Sequence, residues 1–191
     1  MGRAKQMVEI GGETLLERAV RVAVEAGLEP VVVVVRGVEF AHVLRGCEVV
    51  IRDPGVASVL GGFEMLVNEL ADEGMAASIR CGVERARELG VAGAVVMSCD
   101  QVMLRAEHLR ELCAEVDRIT GSGYAGKVGI PAYFPATVFG ELMELRGDVG
   151  ARALLLGAVA VVDEGLALDV DTEADVLRGR RELRSFADGE S

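Results

Sequence analysis

Helical stripes and continuous apolar runs alternate along this chain. Residues 14–26 carry apolar positions at helical spacing behind a capping-box pair, Thr14 and Glu17, and this predicts a helix. Residues 31–35 are five consecutive valines, a run typical of a strand covered on both faces. Similar patterns predict helices over 38–45, 75–89, 106–119, 136–145, 150–156 and 173–186, and strands over 49–51, 65–67, 94–98, 159–162 and 166–169.

This alternation predicts a single α/β domain over 1–191, with a mostly parallel open sheet and helices on both faces. The segment 52–64 carries loop signals, and 121–134 is predicted as loop with short strands. In such sheets the ligand binds beyond the carboxyl ends of the strands, so the residues that follow strands are the first candidates for function.

The composition of the chain excludes some classes of binding partner. The chain has 191 residues, 51% of them hydrophobic, and a net charge of −11, from 20 Lys and Arg against 31 Asp and Glu. That charge argues against nucleic acid or an anionic membrane as the main partner, because both need a basic face. No apolar run is long enough to span a bilayer, and no secretory core begins the chain, so we expect a cytoplasmic protein.

Acidic residues follow two apolar stretches. Asp100 comes just after the run 94–97, where one carboxylate can hold Mg²⁺ and, through it, nucleotide phosphates; the alternative is a turn or N-cap aspartate. Asp169 and Asp171 share a face of an extended chain, and one of them could complete a metal site with Asp100. Equally, Asp171 or Thr172 could cap the helix predicted from 173.

Three weaker signals complete the candidates. Gly74 precedes small residues that open a helix, which leaves backbone amides free for a polar ligand or serves tight packing. Arg3 and Lys5 are basic residues that could meet phosphate or simply face solvent. The run 147–152 places Asp148 near a predicted helix start, where its charge suits the helix dipole.

Seven segments together resemble the molybdenum cofactor cytidylyltransferase group of the molybdopterin nucleotidyltransferase-like family. They occur in this order: GRAKQ (2–6), GGETLLERAV (11–20), EGMAASIRCGVE (73–84), CDQ (99–101), GIPAYFP (129–135), GDVGAR (147–152) and LDVDTEAD (168–175). The resemblance implies a Rossmann-like nucleotidyltransferase fold. It also implies transfer of a nucleotidyl group from CTP to molybdopterin cofactor with Mg²⁺, releasing pyrophosphate, and a molybdoenzyme or its chaperone as a further partner.

The resemblance also assigns roles on the nucleotide side. Lys5 matches the lysine that contacts NTP phosphates, and Ser78 lies in the segment that faces the base. Arg3 and Gly74 join them as nucleotide-binding candidates. Lys5 and Asp100 are the catalytic candidates.

Metal and acceptor roles follow from the same match. Asp100 corresponds to the magnesium-binding aspartate and Asp169 or Asp171 to the second acidic site, so all three are metal candidates. The acceptor-binding candidates come from the two remaining motifs: Gly129, Pro131, Asp148 and Arg152.

One departure from the family is large. Relatives begin with an apolar strand and a Gly-rich loop of the type LAAGxSxRMG, whereas this chain starts at Met1-Gly2, the end of that loop. We therefore expect the central strand of the sheet and its phosphate loop to be missing. Either the gene product starts upstream and this chain is a truncated reading, or another segment, such as an apparent insertion at 52–64, fills the gap. The alternative function is a non-catalytic family member that binds a ligand or partner.

Overall fold

The computed structural model describes residues 5–36, 49–53, 56–59 and 63–189, so the helix predicted over 38–45 lies outside the described residues. The helices are α1 (Leu15–Glu25), α2 (Met75–Glu88), α3 (Ala106–Leu112), α4 (Phe139–Met143) and α5 (Glu173–Gly189). The strands are β1 (Glu9–Ile10), β2 (Glu13–Thr14), β3 (Val31–Val35), β4 (Val49–Asp53), β5 (Val56–Val59), β6 (Phe63–Val67), β7 (Gly93–Val96), β8 (Thr120–Tyr124), β9 (Lys127–Pro135) and β10 (Val159–Val162).

Helix α1 confirms the sequence prediction for 14–26. Glu17 N donates to Thr14 Oγ1 at 3.1 Å, and Thr14 N donates to Glu17 Oε2 at 2.7 Å, so the capping box is complete. Gly27 ends the helix in the left-handed region at φ 81°, which glycine adopts without a steric penalty.

The larger strands form two four-stranded sheets, ordered β3-β6-β5-β4 and β10-β8-β9-β7. Strand β3 runs parallel to β6, and β10 runs parallel to β8. The other pairings within these sheets are antiparallel. The predicted α/β class is confirmed, but the sheets are mixed rather than mostly parallel, because antiparallel partners lie beside β6 and on both sides of β9.

Several predicted elements differ from the structure. The helix predicted over 106–119 ends at Leu112, and the segment 121–134, predicted as loop with short strands, contains most of β8 and of the 9-residue β9. The described parts of 52–64 contain strands β4 and β5, and these lie on the far side of β6 from β3. The strand predicted over 166–169 is a 3₁₀ turn, Glu164–Ala167, because Asp163 Oδ1 accepts from Gly165 N and starts a turn there. The predicted helices 136–145 and 150–156 are short, with a 3₁₀ turn at Ala136–Val138 before α4 and a second at Ala151–Leu155.

Helices and sheets enclose several apolar clusters. One joins α1, α3 and the β8–β9 sheet through Val22, Leu109, Leu112 and Tyr133. A second joins α2, α4 and β9 around Phe134, which is completely buried. These clusters hold β7 and β9 in place, so the residues that follow β7 are carried on a packed support.

The position between β3 and β7 is open in the part of the chain that the structure describes. Among the described strands, β3 and β7 do not pair with each other, and each has one hydrogen-bonded neighbour, β6 for β3 and β9 for β7. This is the position where the family resemblance puts a central strand. Among the described residues, no helix is both long and apolar enough to cross a membrane.

Candidate active site at the end of β7

A lysine ammonium lies between two carboxylates beyond the carboxyl end of β7. Lys5 Nζ donates to Asp100 Oδ2 at 2.6 Å and to Asp171 Oδ1 at 2.5 Å. The exposed fractions of the three side chains are 31% for Lys5, 22% for Asp100 and 68% for Asp171, so the cluster opens to solvent on the Asp171 side. Asp100 and Asp171, which lie 95 and 166 positions from Lys5 in the sequence, therefore both contact its ammonium group.

The backbone brings the two acidic segments together. Gln101 and Asp169 form an isolated antiparallel bridge, and Val170 N donates to Asp100 O at 3.0 Å. Beyond Asp100 the chain is fixed to α1, because Arg18 Nε donates to Val102 O at 2.7 Å. The run 168–172 thus lies beside the loop that follows β7, and this places Asp171 within reach of Lys5.

Thr172, rather than Asp171, is the residue that caps helix α5. Its Oγ1 accepts from Asp175 N at 3.3 Å, while Asp175 Oδ2 accepts from Thr172 N at 2.8 Å. This reciprocal pair caps the start of α5, in the manner of a capping box. The Asp171 carboxylate is therefore free of that task and contacts Lys5 instead.

The charges in the cluster shift one another. Partial burial opposes the charged form of Lys5, but its bonds to Asp100 and Asp171 outweigh burial and raise the pKa of Lys5. Burial, followed by repulsion from Asp100, raises the pKa of Asp169. The charges of Asp100 and Asp171 therefore act on Asp169, although it is Asp171 that contacts Lys5.

Two residues just before Asp100 affect it differently: the Ser98 hydroxyl orients its carboxylate, and the Cys99 thiol is unreactive. Ser98 Oγ donates to Asp100 Oδ1 at 2.5 Å, which fixes the carboxylate while its other oxygen faces Lys5. Burial and the adjacent Asp100 charge raise the pKa of Cys99 to about 11. The thiol is therefore protonated near neutral pH and is a poor nucleophile.

A cavity of about 620 Å³ is lined by Ser98, the residue whose hydroxyl donates to Asp100, whereas Lys5, Asp100 and Asp171 do not themselves line it. Three of the predicted site residues line it: Ser78 from α2, Gly129 from β9 and Arg152 from the turn Ala151–Leu155. Ser78 Oγ accepts from the buried Asn68 Nδ2 at 3.1 Å. The nucleotide-side and acceptor-side candidates thus share one cavity.

Two predicted site residues contact each other away from Lys5. Asp148 Oδ1 accepts from Met75 N, the first residue of α2, at 3.2 Å, and Gly147 O accepts from Ala76 N at 3.0 Å. A Cβ on Gly74 would lie 2.6 Å from Asp148 Oδ1. Asp148 therefore caps α2 rather than the helix predicted after it, and Gly74 permits this close approach.

The remaining two candidates are placed differently. Pro131 is fully buried, and its carbonyl oxygen accepts from Ser122 Oγ at 2.6 Å, so the structure does not place it where a ligand could contact it. Arg3 lies outside the described residues.

Sequence reasoning missed Gln101 and Lys127. Gln101 is buried, its Nε2 donates to the carbonyls of Ile130 and Leu166, and its Oε1 has no partner among the described residues. Its position directly after Asp100 in the CDQ motif was the available signal. Lys127 lines the cavity, with its ammonium 5.3 Å from the Tyr124 ring centre; a lone lysine in a hairpin carries no comparable signal.

The donor set fits one divalent cation shared with phosphate. Among the described residues, no group of three or more His, Cys, Asp or Glu side chains could hold a metal. However, Asp100 and Asp171 already converge on one positive charge. Mg²⁺ is commonly held by one or two carboxylates plus substrate phosphates, and that is the set these residues offer.

Comparison with known proteins places this geometry in a family. The family described as MobA-like NTP transferase domain matches residues 1–161. The purine catabolism protein PucB of Bacillus subtilis (strain 168) is 32% identical, over 93% of this chain and 89% of that protein.

Solved structures agree with this match. Rv0371c of Mycobacterium tuberculosis H37Rv superposes with a TM-score of 0.73 at 29% identity, covering 95% of this chain and 90% of that one. A second structure of Rv0371c, in complex with manganese, has a TM-score of 0.68 at 27% identity and covers 94% and 93%. A nucleotidyl transferase from Methanothermobacter, at 21% identity and TM-score 0.72 over 95% and 86%, shares the fold.

Proposed function

Since the chain belongs to the MobA-like NTP transferase domain family, we propose that it is a nucleotidyltransferase that moves CMP from CTP to a molybdopterin-type acceptor. One observation carries the proposal: the Lys5 ammonium and the Asp100 and Asp171 carboxylates meet at the end of β7, beside a cavity large enough for substrates. The motifs GDVGAR and LDVDT support this acceptor over others in the family.

The reaction needs no covalent intermediate on the protein. A phosphate oxygen of the acceptor attacks the α-phosphorus of CTP, the bond from that phosphorus to the bridging oxygen breaks, and pyrophosphate leaves. Such transfers depend on positioning and on neutralising charge. This agrees with the protonated Cys99 and with the lack of a nucleophile–base pair at the cluster of Lys5, Asp100 and Asp171.

Each residue then has a stated task. Lys5 exchanges its carboxylate partners for the NTP phosphates, and Ser98 holds Asp100 in orientation. Asp100 and Asp171 would hold Mg²⁺, with Asp169 beside them; the ion supplies positive charge to the triphosphate. The manganese complex of Rv0371c supports the use of a divalent cation. Ser78 serves the nucleotide side and Gly129 and Arg152 the acceptor side, since all three line the cavity, while Gly74, Asp148 and Pro131 support the surrounding backbone.

The location that we propose for the protein follows from where its substrates occur. A nucleoside triphosphate and a cofactor precursor are cytoplasmic molecules, and we propose the same location for the chain. We also propose a molybdoenzyme, or its chaperone, as a further partner, which rests on the molybdopterin-type acceptor proposed above.

The direct test is pyrophosphate release. Wild-type protein with Mg²⁺ and molybdopterin should release pyrophosphate with CTP faster than with ATP, GTP or UTP, and Asp100→Ala should abolish release. Arg105→Ala, whose guanidinium pairs with Asp163 away from the cluster, is the matched control and should stay active. Absence of release with every NTP would contradict the proposal.

The second candidate is a non-catalytic member that binds a ligand or partner, and the open position between β3 and β7 favours it. A thermal shift assay separates the two. The enzyme should be stabilised by CTP with Mg²⁺, whereas the non-catalytic member should show no nucleotide-dependent shift.

A further inference from the structure

The side chain of Gln101 connects the loop after β7 to two other segments. It is buried, at 5% exposed, and its Nε2 donates to Ile130 O of β9 at 3.0 Å and to Leu166 O at 3.3 Å. A primary amide has two N–H donors, and both partners are carbonyls, so it is the nitrogen that faces them. One amide therefore joins this loop to β9 and to the turn Glu164–Ala167, which leads into the run 168–172. We call that run the second acidic segment.

The Ile130 carbonyl lies at an irregularity of β9 and is bonded by side chains. Gly129 and Ala132 pair with consecutive residues of β8, and the pairing of β9 with β7 begins at Ala132. Ile130 therefore lies in a bulge and has no paired residue in either neighbouring strand. Its oxygen accepts from Gln101 Nε2 and from Tyr124 Oη, the latter at 2.9 Å. Gln101 thus holds β9 directly after Gly129, which lines the cavity.

Gln101 also holds the second acidic segment at two points. Its backbone forms the isolated bridge with Asp169, and its amide bonds Leu166 O in the turn that precedes the segment. Two attachments fix the direction in which the chain leaves the turn. They therefore hold Asp171 beside Asp100, where both carboxylates contact one ammonium group.

This junction bears on the reaction through distance. In nucleotidyl transfer the attacking oxygen must lie in line with the leaving pyrophosphate, so the acceptor must be held at a fixed place relative to the cation. A displacement of about 1 Å can lower the rate about 100-fold. The metal candidates Asp100 and Asp171 and the acceptor candidate Gly129 lie on the three segments that Gln101 joins.

We propose that Gln101 is a positioning residue, whose amide fixes β9 and the second acidic segment relative to Asp100 so that the acceptor phosphate lies at the cation. This role rests on the nucleotidyl transfer proposed above. Gln101 acts through Gly129 and Asp171, since its own amide nitrogen is buried against protein carbonyls.

Gln101→Met tests the role, because it keeps the length of the side chain and removes both donors. Manganese titration followed by electron paramagnetic resonance reports on the second acidic segment without turnover, and steady-state pyrophosphate release reports on the acceptor. We expect manganese binding at least threefold weaker and a KM for molybdopterin at least fivefold higher. We also expect kcat to fall about 10- to 100-fold, while the KM for CTP stays within about twofold of wild type.

Two further variants separate this role from a general loss of stability. Tyr124→Phe removes the other donor to Ile130 O and leaves the bond to Leu166 O in place, so it should raise the KM for molybdopterin without changing manganese affinity. Phe63→Leu lies at the amino end of β6 in a different apolar cluster. It should lower the midpoint of thermal unfolding and leave manganese affinity and both KM values as in wild type.

Manganese affinity of Gln101→Met equal to wild type would overturn the proposal. So would an equal rise in the KM for CTP and for molybdopterin, or an equal loss of manganese affinity in Tyr124→Phe or Phe63→Leu. Where Gln101→Met fails to fold, Gln101→Asn carries the test, because its amide sits on a shorter side chain and loses reach to the carbonyls. Absence of turnover by wild type would contradict the proposed function, whereas the manganese titration would still decide the role of Gln101.

Discussion

Replacing Lys5 with Met should change cation binding and catalysis in opposite directions. In the structure the ammonium occupies the carboxylate oxygens that a divalent cation would use, at 2.6 Å from Asp100 and 2.5 Å from Asp171. A cation entering this site must displace Lys5, so the lysine competes with it. The same ammonium is also the positive charge proposed to contact the triphosphate.

The expected gain in cation affinity follows from how exposed the three side chains are to solvent. Side chains that are 31%, 22% and 68% exposed form ion pairs screened by solvent, each worth about 0.5–1 kcal/mol. Removing two such pairs relieves competition by about 1–2 kcal/mol, which is roughly a 5- to 30-fold tighter cation dissociation constant. Loss of one group that stabilises developing charge should lower kcat about 100-fold or more.

Manganese titration followed by electron paramagnetic resonance measures the first effect without nucleotide, and pyrophosphate release measures the second. Arg105→Met is the control, because Arg105 pairs with Asp163 and has no ion pair to Asp100 or Asp171 among the described residues. It should leave manganese affinity within twofold of wild type. Unchanged or weaker manganese binding by Lys5→Met would refute the competition between lysine and metal.

Two further predictions concern stability. Burial lowers the pKa of His108, whose Nε2 lies 2.7 Å from Ser122 Oγ. The folded state therefore binds fewer protons than the unfolded state at acidic pH. The contribution of His108 to the free energy of unfolding is complete above the unfolded pKa of about 6.5 and decreases as the pH falls below it. Urea unfolding from pH 7.5 to 5 should show this loss in wild type and a smaller loss in His108→Gln; an equal loss would contradict the assignment. Gly74→Ala should lower the unfolding midpoint more than Gly27→Ala, since both glycines have positive φ, 101° and 81°, but only Gly74 also faces a contact, 2.6 Å from Asp148 Oδ1. We expect about 1–3 kcal/mol for Gly74→Ala by calorimetry, and equal midpoints would show that the contact is not restrictive.

Local signals in the sequence predicted much of the fold. Thr14 and Glu17 mark the start of α1, and the valine run predicts β3, because capping and apolar periodicity act over a few residues. The strand predicted over 166–169 overlaps the 3₁₀ turn Glu164–Ala167 in the structure. Asp163 Oδ1 accepts from Gly165 N, and this Asx turn, a signal that the apolar pattern outweighed in the prediction, starts the 3₁₀ turn.

The site was predictable only in part, for a related reason. Asp100 follows a strand, so its place at the sheet edge can be read from local sequence. The meeting of Lys5 with Asp171 depends on the Gln101–Asp169 bridge, a contact between segments far apart in the chain. Likewise, the role of Asp148 at α2 depends on the left-handed Gly74, whose neighbour is 74 positions away.

Transfer of label from CTP tests the central claim most directly. Wild-type protein is mixed with Mg²⁺, molybdopterin and CTP labelled at the α-phosphorus, and the products are separated. The account predicts that the label moves into the molybdopterin product in equal amount to the pyrophosphate released, and that Asp100→Ala transfers none. Label that remains in CTP with wild-type protein, or transfer that survives Asp100→Ala, would contradict it.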